Sequence, residues 1–293
     1  LILRQPIEHY SDLNNTRFCW FEWGTPNSDP TIVLIHATGF HARCWDQVVA
    51  HLGDRHVLAL DLRHHGRSEK GDPCGWEVYS TDVIAFIEAQ DLDNIVLVGH
   101  SMGGYCAANA LCEIGHRVTE TVLVDPVIMD PETYTDTHER HESFLNDDNE
   151  HPVARRRNHF VDADAMYKNF EGRGSYASWK PEALHDYCEH GLQSDEENGG
   201  YKLACPPHLE ASIYMGSMSQ PIFDGFGKVT VPVTIMRAKR VEVRTTLDFT
   251  LSPTWPGLAA QFMNGRDVYL PELTHFMPMQ APELVAQYIL GER

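Results

Sequence analysis

The chain has 293 residues, enough for one large or two small domains with a sizeable core, and a formal charge of -19 from 23 basic and 42 acidic residues. That acidity argues against nucleic acid or an anionic membrane surface as partner, and solubility is its simpler reading. Seven cysteines without a C-x-x-C pair argue against a disulfide framework or a zinc site. No run approaches the length of a membrane span, and Leu1-Ile2-Leu3-Arg4-Gln5-Pro6 is too short an apolar stretch for a signal peptide, so no membrane insertion and a cytoplasmic location are expected.

In chain order, residues 18–23 read as a strand and Thr31–Ile35 as a stronger one. Residues 44–52 read as a helix through Trp45, Val48, Val49 and Leu52, then Val57–Leu60 as a strand and Trp76–Ala89 as a helix. Residues 95–98 form a short apolar run rich in β-branched side chains, as a strand buried on both faces would be. Gly99-His100-Ser101-Met102-Gly103 follows, and then a helical pattern through Ala107, Ala108, Ala110 and Leu111 to a stop at Gly115. Residues 121–124 are the next strand, ending at Asp125-Pro126. This alternation implies an α/β fold with a mostly parallel sheet flanked by helices.

Residues 129 to 221 break the pattern: they are polar, charged and aromatic, with helical patches and no convincing strand. They read as an inserted helical cap, leaving residues 1–128 and 222–293 to form the sheet domain. Strands at 231–236 and 267–270 and a helix at 282–290, with Pro282 in its first turn, complete the chain.

A serine between two glycines, after a strand and before a helix, is the G-x-S-x-G nucleophile elbow. Side chains at positions 99 and 103 would collide in so tight a turn. The serine itself is expected in a strained conformation at the positive end of the next helix.

With its elbow, insertion and strand order, the chain resembles the capped branch of the α/β-hydrolase superfamily. His36-Ala37-Thr38-Gly39-Phe40 is similar to that family's His-Gly-x oxyanion loop, and Asp61-Leu62-Arg63-His64-His65-Gly66-Arg67-Ser68 to its D-x-R-G-x-G-x-S loop. Ala37 and His64 stand where the family usually has glycine. A serine hydroxyl needs a base within hydrogen-bond reach. His275 lies between the last strand and the final helix, where the superfamily's histidine lies.

The base needs a carboxylate on its other ring nitrogen. The family's usual place for it follows the strand at 231–236, where this chain reads Arg237-Ala238-Lys239-Arg240-Val241-Glu242, without an Asp. Some families place the acid after the preceding strand instead. Asp125 sits there, and it is the expected acid ahead of Glu242 and then Asp248. Two backbone N–H groups should hold the oxyanion, those of Met102 and Thr38. His36 and His100 are expected to hydrogen-bond the loops around the site.

Other features carry less. The histidines at 138 and 141 are three apart, whereas the zinc-protease helix needs four. Gly172-Arg173-Gly174-Ser175-Tyr176-Ala177 has no strand before it and reads as a loop. Arg155-Arg156-Arg157 would point in different directions on a helix and reads as surface salt bridging. Asn14-Asn15-Thr16 matches a glycosylation sequon without a secretory signal. Tyr167, Phe170, Trp179, Tyr187 and Tyr214 read mostly as core between cap helices, with one or two at a pocket.

The resemblance implies a carboxylesterase-type serine hydrolase that acts on a small-molecule ester through an acyl-enzyme, with no metal or organic cofactor. Serine rather than aspartate at the elbow counts against epoxide hydrolase and haloalkane dehalogenase chemistry. Thioesters, lactones and carbon–carbon cleavage of vinylogous diketones stay open on the same triad. From other classes, a hydroxynitrile-lyase-like lyase and a hydrolase-fold receptor also stay open.

Overall fold

Asn14 and Asn15 both take left-handed backbone (φ 50° and 57°), the geometry of a two-residue hairpin turn. They join β1 (Ile7–Leu13) to β2 (Thr16–Trp23) as an antiparallel pair, so the sequon match is the tip of a hairpin. Only the second strand was legible in the apolar pattern, because β1 is an edge strand with no buried residue. The computed structural model describes residues 5–134, 145, 151–217, 222–240 and 248–293. Glu242 and the histidines at 138 and 141 lie outside the described residues.

The chain continues through β3 (Thr31–Ile35), α1 (Asp46–Val49), β4 (Val57–Leu60), α2 (Trp76–Ala89), β5 (Ile95–His100), α3 (Met102–Ile114) and β6 (Val118–Val124). The helix expected at 44–52 is shorter, a single tight turn at Ala42–Trp45 leading into α1. After the insertion come two further sheet strands, described below. Among the described residues the sheet has eight strands, and all pairings from β4 across β3, β5 and β6 outward are parallel. Alternate residues of one strand serve opposite faces. Val33, Ile35, Ile95 and Leu97 pack on the side of α2 and α3, against Trp76, Phe86 and Tyr105. Ile32, Leu34, Val96 and Val98 pack on the other side, against Trp45, Val48, Val285 and Ile289. Burying each such side chain stabilises the fold by about 1.5–3 kcal/mol before entropy is counted.

Between β6 and the next sheet strand the chain forms β7 (His159–Phe160), α4 (Ala163–Phe170), α5 (Pro181–His190), β8 (Leu192–Ser194), β9 (Tyr201–Leu203) and α6 (Pro207–Gly216). The three strands pair antiparallel in the order β7-β9-β8. None was expected here, because strands of two or three residues are too short to leave a period-two pattern. Residues 172–177 do form a loop: they follow α4 and run into a tight turn at Gly174–Ser178. Phe160, Trp179 and Tyr187 cluster with Phe40 and Phe276 of the sheet domain, so the insertion is seated on the core through aromatic rings.

The chain ends with β10 (Val233–Ala238), β11 (Gly265–Leu270), α7 (Met277–Gln280) and α8 (Pro282–Ile289). β10 begins after Pro232, which lacks an N–H for the ladder, so it lies two residues beyond the expected start. The parallel strands β3, β5, β6, β10 and β11 deliver the loops that follow them to one edge of the sheet. In open parallel sheets that carboxyl edge is where ligands bind.

Candidate active site

Ser101 sits between β5 and α3 with φ 57° and ψ -118°, outside the regions a side-chain-bearing residue normally occupies. A Cβ on Gly99 would run into the carbonyl of Gly103, and one on Gly103 into the carbonyl of Ile35. The glycines therefore let the turn close against β3, and the strain is held by α3, whose Gly104 and Tyr105 N–H groups donate to the Ser101 carbonyl.

The Ser101 hydroxyl lies 2.9 Å from His275 Nε2, and His275 Nδ1–H donates to Asp125 Oδ2 at 2.6 Å. Three loops after three different strands thus meet in one hydrogen-bonded row. Asp125 is fully buried and also takes left-handed backbone (φ 44°), which Asp tolerates better than most residues. Its other oxygen, Oδ1, accepts from the Ala238 N–H at 3.0 Å, from the Ser252 hydroxyl, and from the Thr254 hydroxyl at 3.1 Å. The last residue of β10 and the segment beyond it thus supply the donors to a carboxylate that follows the neighbouring strand β6. Ser252 and Thr254 were not singled out from the sequence, and nothing in their local pattern points to a group more than a hundred residues earlier. Asp248, the remaining described alternative, accepts instead from the Thr250 N–H and hydroxyl. The Thr250 carbonyl in turn accepts the His275 N–H at 2.8 Å.

The histidine loops are held by neutral imidazoles. His36 Nδ1–H donates to the Ala37 carbonyl at 2.7 Å while its Nε2 accepts the Leu62 N–H at 3.0 Å, joining the two signature loops. His65 accepts the Gly39 N–H at 3.0 Å and donates to the Arg63 carbonyl. His100 donates to the His275 carbonyl at 2.8 Å. Burial pushes all three downward, His100 to about 3, so each is neutral and can accept or donate as described. His64, where the family has glycine, takes the left-handed backbone glycine would take (φ 68°) and shares a hydrogen bond with the Tyr79 hydroxyl at 2.7 Å. Ala37 is buried, and its φ is not in the left-handed region, so alanine fits there.

Thr38 and Met102 flank Ser101: the Thr38 hydroxyl reaches the Met102 sulfur at 3.4 Å, and both residues are buried. Met102 is the first residue of α3, so its N–H has no acceptor within the helix. A cavity of about 100 Å³ opens over Ser101 and His275. Thr38, Phe40, Trp76, Val127, Met129, Tyr214, Phe249, Leu251 and Phe276 line it, a mostly apolar wall. Of the five cap aromatics, Tyr214 lines this cavity. Trp179 and Tyr187 are buried in the aromatic cluster, with Tyr167 and Phe170 packed against it.

The arginine run is not simple surface salt bridging. Arg156 turns inward and pairs with buried Glu210 at 2.7 Å, while Arg157 donates to the His159 carbonyl and lies over the Phe160 ring. A helix was the wrong frame, since Pro152–Arg155 is a single tight turn that releases the next residues into extended chain. Among the described residues no group of three or more His, Cys, Asp or Glu is placed to hold a metal ion, and no helix is long and apolar enough to cross a membrane.

A nucleophile elbow after a central strand, with a carboxylate after the adjacent strand and a histidine after the edge strand β11, defines a class of enzyme. The chain belongs to the alpha/beta hydrolase family, whose model matches residues 32–288. It is similar to Lipase LipV of Mycobacterium tuberculosis, with 30% identity over 103 residues that make up 35% of this chain and 40% of that protein. A non-heme chloroperoxidase of Burkholderia pyrrocinia is 33% identical over 120 residues, 39% of this chain and 43% of that protein. The matched stretches therefore span less than half the length of these curated relatives. Over the whole chain the fold is that of E-2-(acetamidomethylene)succinate hydrolase, with a TM-score of 0.75 at 20% identity and 98% of each chain covered. A thermophilic esterase from Thermogutta terrifontis has the same fold, with a TM-score of 0.65 at 20% identity over 99% of this chain and 98% of that one.

Proposed function

We propose that this hydrolase is a carboxylesterase working through a Ser101–His275–Asp125 triad. The observation that carries the reading is the continuous row from the Ser101 hydroxyl through both nitrogens of His275 to a buried, fully hydrogen-bonded carboxylate. Ser101 Oγ attacks the ester carbonyl as His275 Nε2 takes its proton, and Asp125 stabilises the imidazolium that forms. The carbonyl oxygen becomes an oxyanion held by the N–H groups of Met102 and Thr38, each worth about 10²- to 10³-fold in rate. The C–O bond then breaks, the leaving alcohol takes the proton from His275, and Ser101 carries the acyl group. Water, deprotonated by His275, attacks the acyl-enzyme and releases the acid.

Residues 129–221 are the cap in this reading, and the apolar wall over Ser101 favours an apolar acyl or alcohol group. All seven cysteines are free thiols, which supports a reducing, cytoplasmic setting. The test is a panel of nitrophenyl esters, thioesters, lactones and a vinylogous diketone assayed with wild type and Ser101→Ala. Esters should be turned over fastest, and only by wild type. A thioester, lactone or diketone ahead of every ester would move the substrate class, and steady ester turnover by Ser101→Ala would overturn the mechanism.

A further inference from the structure

Helix α6 touches the catalytic half of the molecule at three places. Its Ile213 carbonyl accepts the Trp76 indole N–H at 2.7 Å, and its Tyr214 lines the cavity over Ser101. Four residues before Tyr214, and so on the same face of the helix, Glu210 reaches the oxyanion loop itself. Glu210 is 3% exposed. One Arg156 nitrogen donates to both of its oxygens, at 3.0 and 2.7 Å, and the other donates to the Tyr187 hydroxyl at 3.0 Å. The carboxylate thus held lies against Gly39: a Cβ at that position would come within 2.8 Å of Glu210 Cδ.

Gly39 is the third residue of a turn closed by the Phe40 N–H on the Ala37 carbonyl at 3.2 Å, and its φ of 78° is what a type II turn demands there. His65 accepts the Gly39 N–H from the core side. The turn that carries Thr38 is therefore gripped from two directions, by an imidazole of the sheet domain and by a carboxylate of the insertion. Apolar side chains would bury as well as this ion pair does, and often more favourably. What the pair adds is a fixed place, because one guanidinium nitrogen holds both carboxylate oxygens while the other is tied to the Tyr187 hydroxyl.

We propose that Glu210, clamped by Arg156, is a positioning residue for the oxyanion loop: pressed on Gly39, it sets the turn that aims the Thr38 N–H, and so links the insertion to transition-state stabilisation. The inference rests on the role given to Thr38 in the esterase reading above. A donor moved by an ångström can cost about 10²-fold in rate while leaving ground-state binding nearly intact.

The experiment compares kcat, KM for nitrophenyl butyrate and the affinity of a trifluoromethyl ketone, which mimics the tetrahedral adduct, in Glu210→Ala, Glu210→Gln and Arg156→Lys. Glu210→Ala should lower kcat roughly 10- to 100-fold with KM within about three-fold, and weaken the ketone by the same factor as kcat. Glu210→Gln keeps the shape and an acceptor for Arg156, and should recover to within a few-fold of wild type. Arg156→Lys keeps the charge but loses the second nitrogen that anchors it to Tyr187, and should show a smaller parallel loss in kcat and ketone affinity, which serves as the reading if Glu210→Ala does not fold. Wild-type kcat and ketone affinity in folded Glu210→Ala or Arg156→Lys, or a kcat loss that the ketone does not mirror, overturns the positioning role alone. Ester turnover that survives Ser101→Ala overturns the esterase reading and this inference with it.

Discussion

The sheet domain and the insertion solve different problems with different materials. In the sheet, β4, β5 and β10 are buried at every residue, and their apolar side chains pack on two faces between helices. Ser101, Asp125 and His275 follow the ends of β5, β6 and β11, so their spacing is set by the strand ladder. The insertion has short strands and helices of eight to ten residues, and it holds to the core by aromatic rings, by the Trp76–Ile213 and Gln47–Asp186 hydrogen bonds, and by Glu210 against Gly39. In the proposed mechanism, a frame that places a proton transfer must be stiff. A roof proposed to select substrates can vary, provided it is seated.

The sharpest way to break this division is at the strand ends. Ser101→Ala or His275→Ala should each lower ester turnover by about 10⁴- to 10⁶-fold, with the double variant scarcely worse because the two act as a unit. Steady-state kinetics on the three variants checks it, and a double variant much slower than either single one would mean that they act separately. Asp125→Asn comes next. It keeps the shape but no longer holds the imidazole in the working tautomer, and should lose roughly 10²- to 10⁴-fold at neutral pH. Glu242→Gln should stay within a few-fold of wild type in the same assay, and the reverse order would move the acid to the segment after β10.

The roof can be split against itself. Tyr187 is buried among Phe40, Trp179 and Phe170, so Tyr187→Ala should cost about 3–5 kcal/mol in urea denaturation, the range for removing a large buried ring. Tyr214→Ala opens the cavity wall and should change selectivity more than stability. Its kcat/KM profile from acetate to octanoate nitrophenyl esters should shift toward longer chains, each methylene being worth about 0.8 kcal/mol where it is buried. Tyr167→Ala and Phe170→Ala should leave that profile as it is. If Tyr214→Ala leaves it too, the chain-length pocket is built from core residues.

The smallest effect per group is a pH dependence. His36, His65 and His100 in the core loops, and His41 at the seam where it meets the Tyr187 carbonyl, are held neutral by burial, His41 and His100 at about 3. In the unfolded chain these rings take a proton near 6.5, the ordinary imidazole value. Below that pH the unfolded state binds protons that the native state refuses, so stability is fully present above about 6.5 and is lost as pH falls toward the folded values. Each ring contributes a slope of up to about 1.4 kcal/mol per pH unit in that window. Urea midpoints at pH 8, 7, 6 and 5 should be level above 7 and fall below it, and a midpoint unchanged from 7 to 5 would mean that these rings are not held neutral.

The central strands, Trp76–Ala89 and the elbow were legible in the sequence because each is specified locally. A strand buried on both faces is a continuous apolar run, an amphipathic helix has its period, and a turn that admits no side chain at positions 99 and 103 must show glycine there. His275 was legible from its place between a strand and a helix. The edge strand β1 and the two- and three-residue strands of the insertion left no such mark, since they bury too little, or run too briefly, for a period to appear.

Tertiary structure alone decided how these parts meet. Asp125 is distinguished from other carboxylates by Ala238, Ser252 and Thr254, donors that no residue near it in the chain announces. Arg156 looks like its surface neighbours in sequence and is a half-buried partner of buried Glu210 in space. Tyr214 on α6 lines the cavity, whereas Tyr187 on α5 is buried in the aromatic cluster. Local pattern reports which face of an element is buried; which partner waits on that face depends on chain closure between distant segments, and the folded backbone sets it.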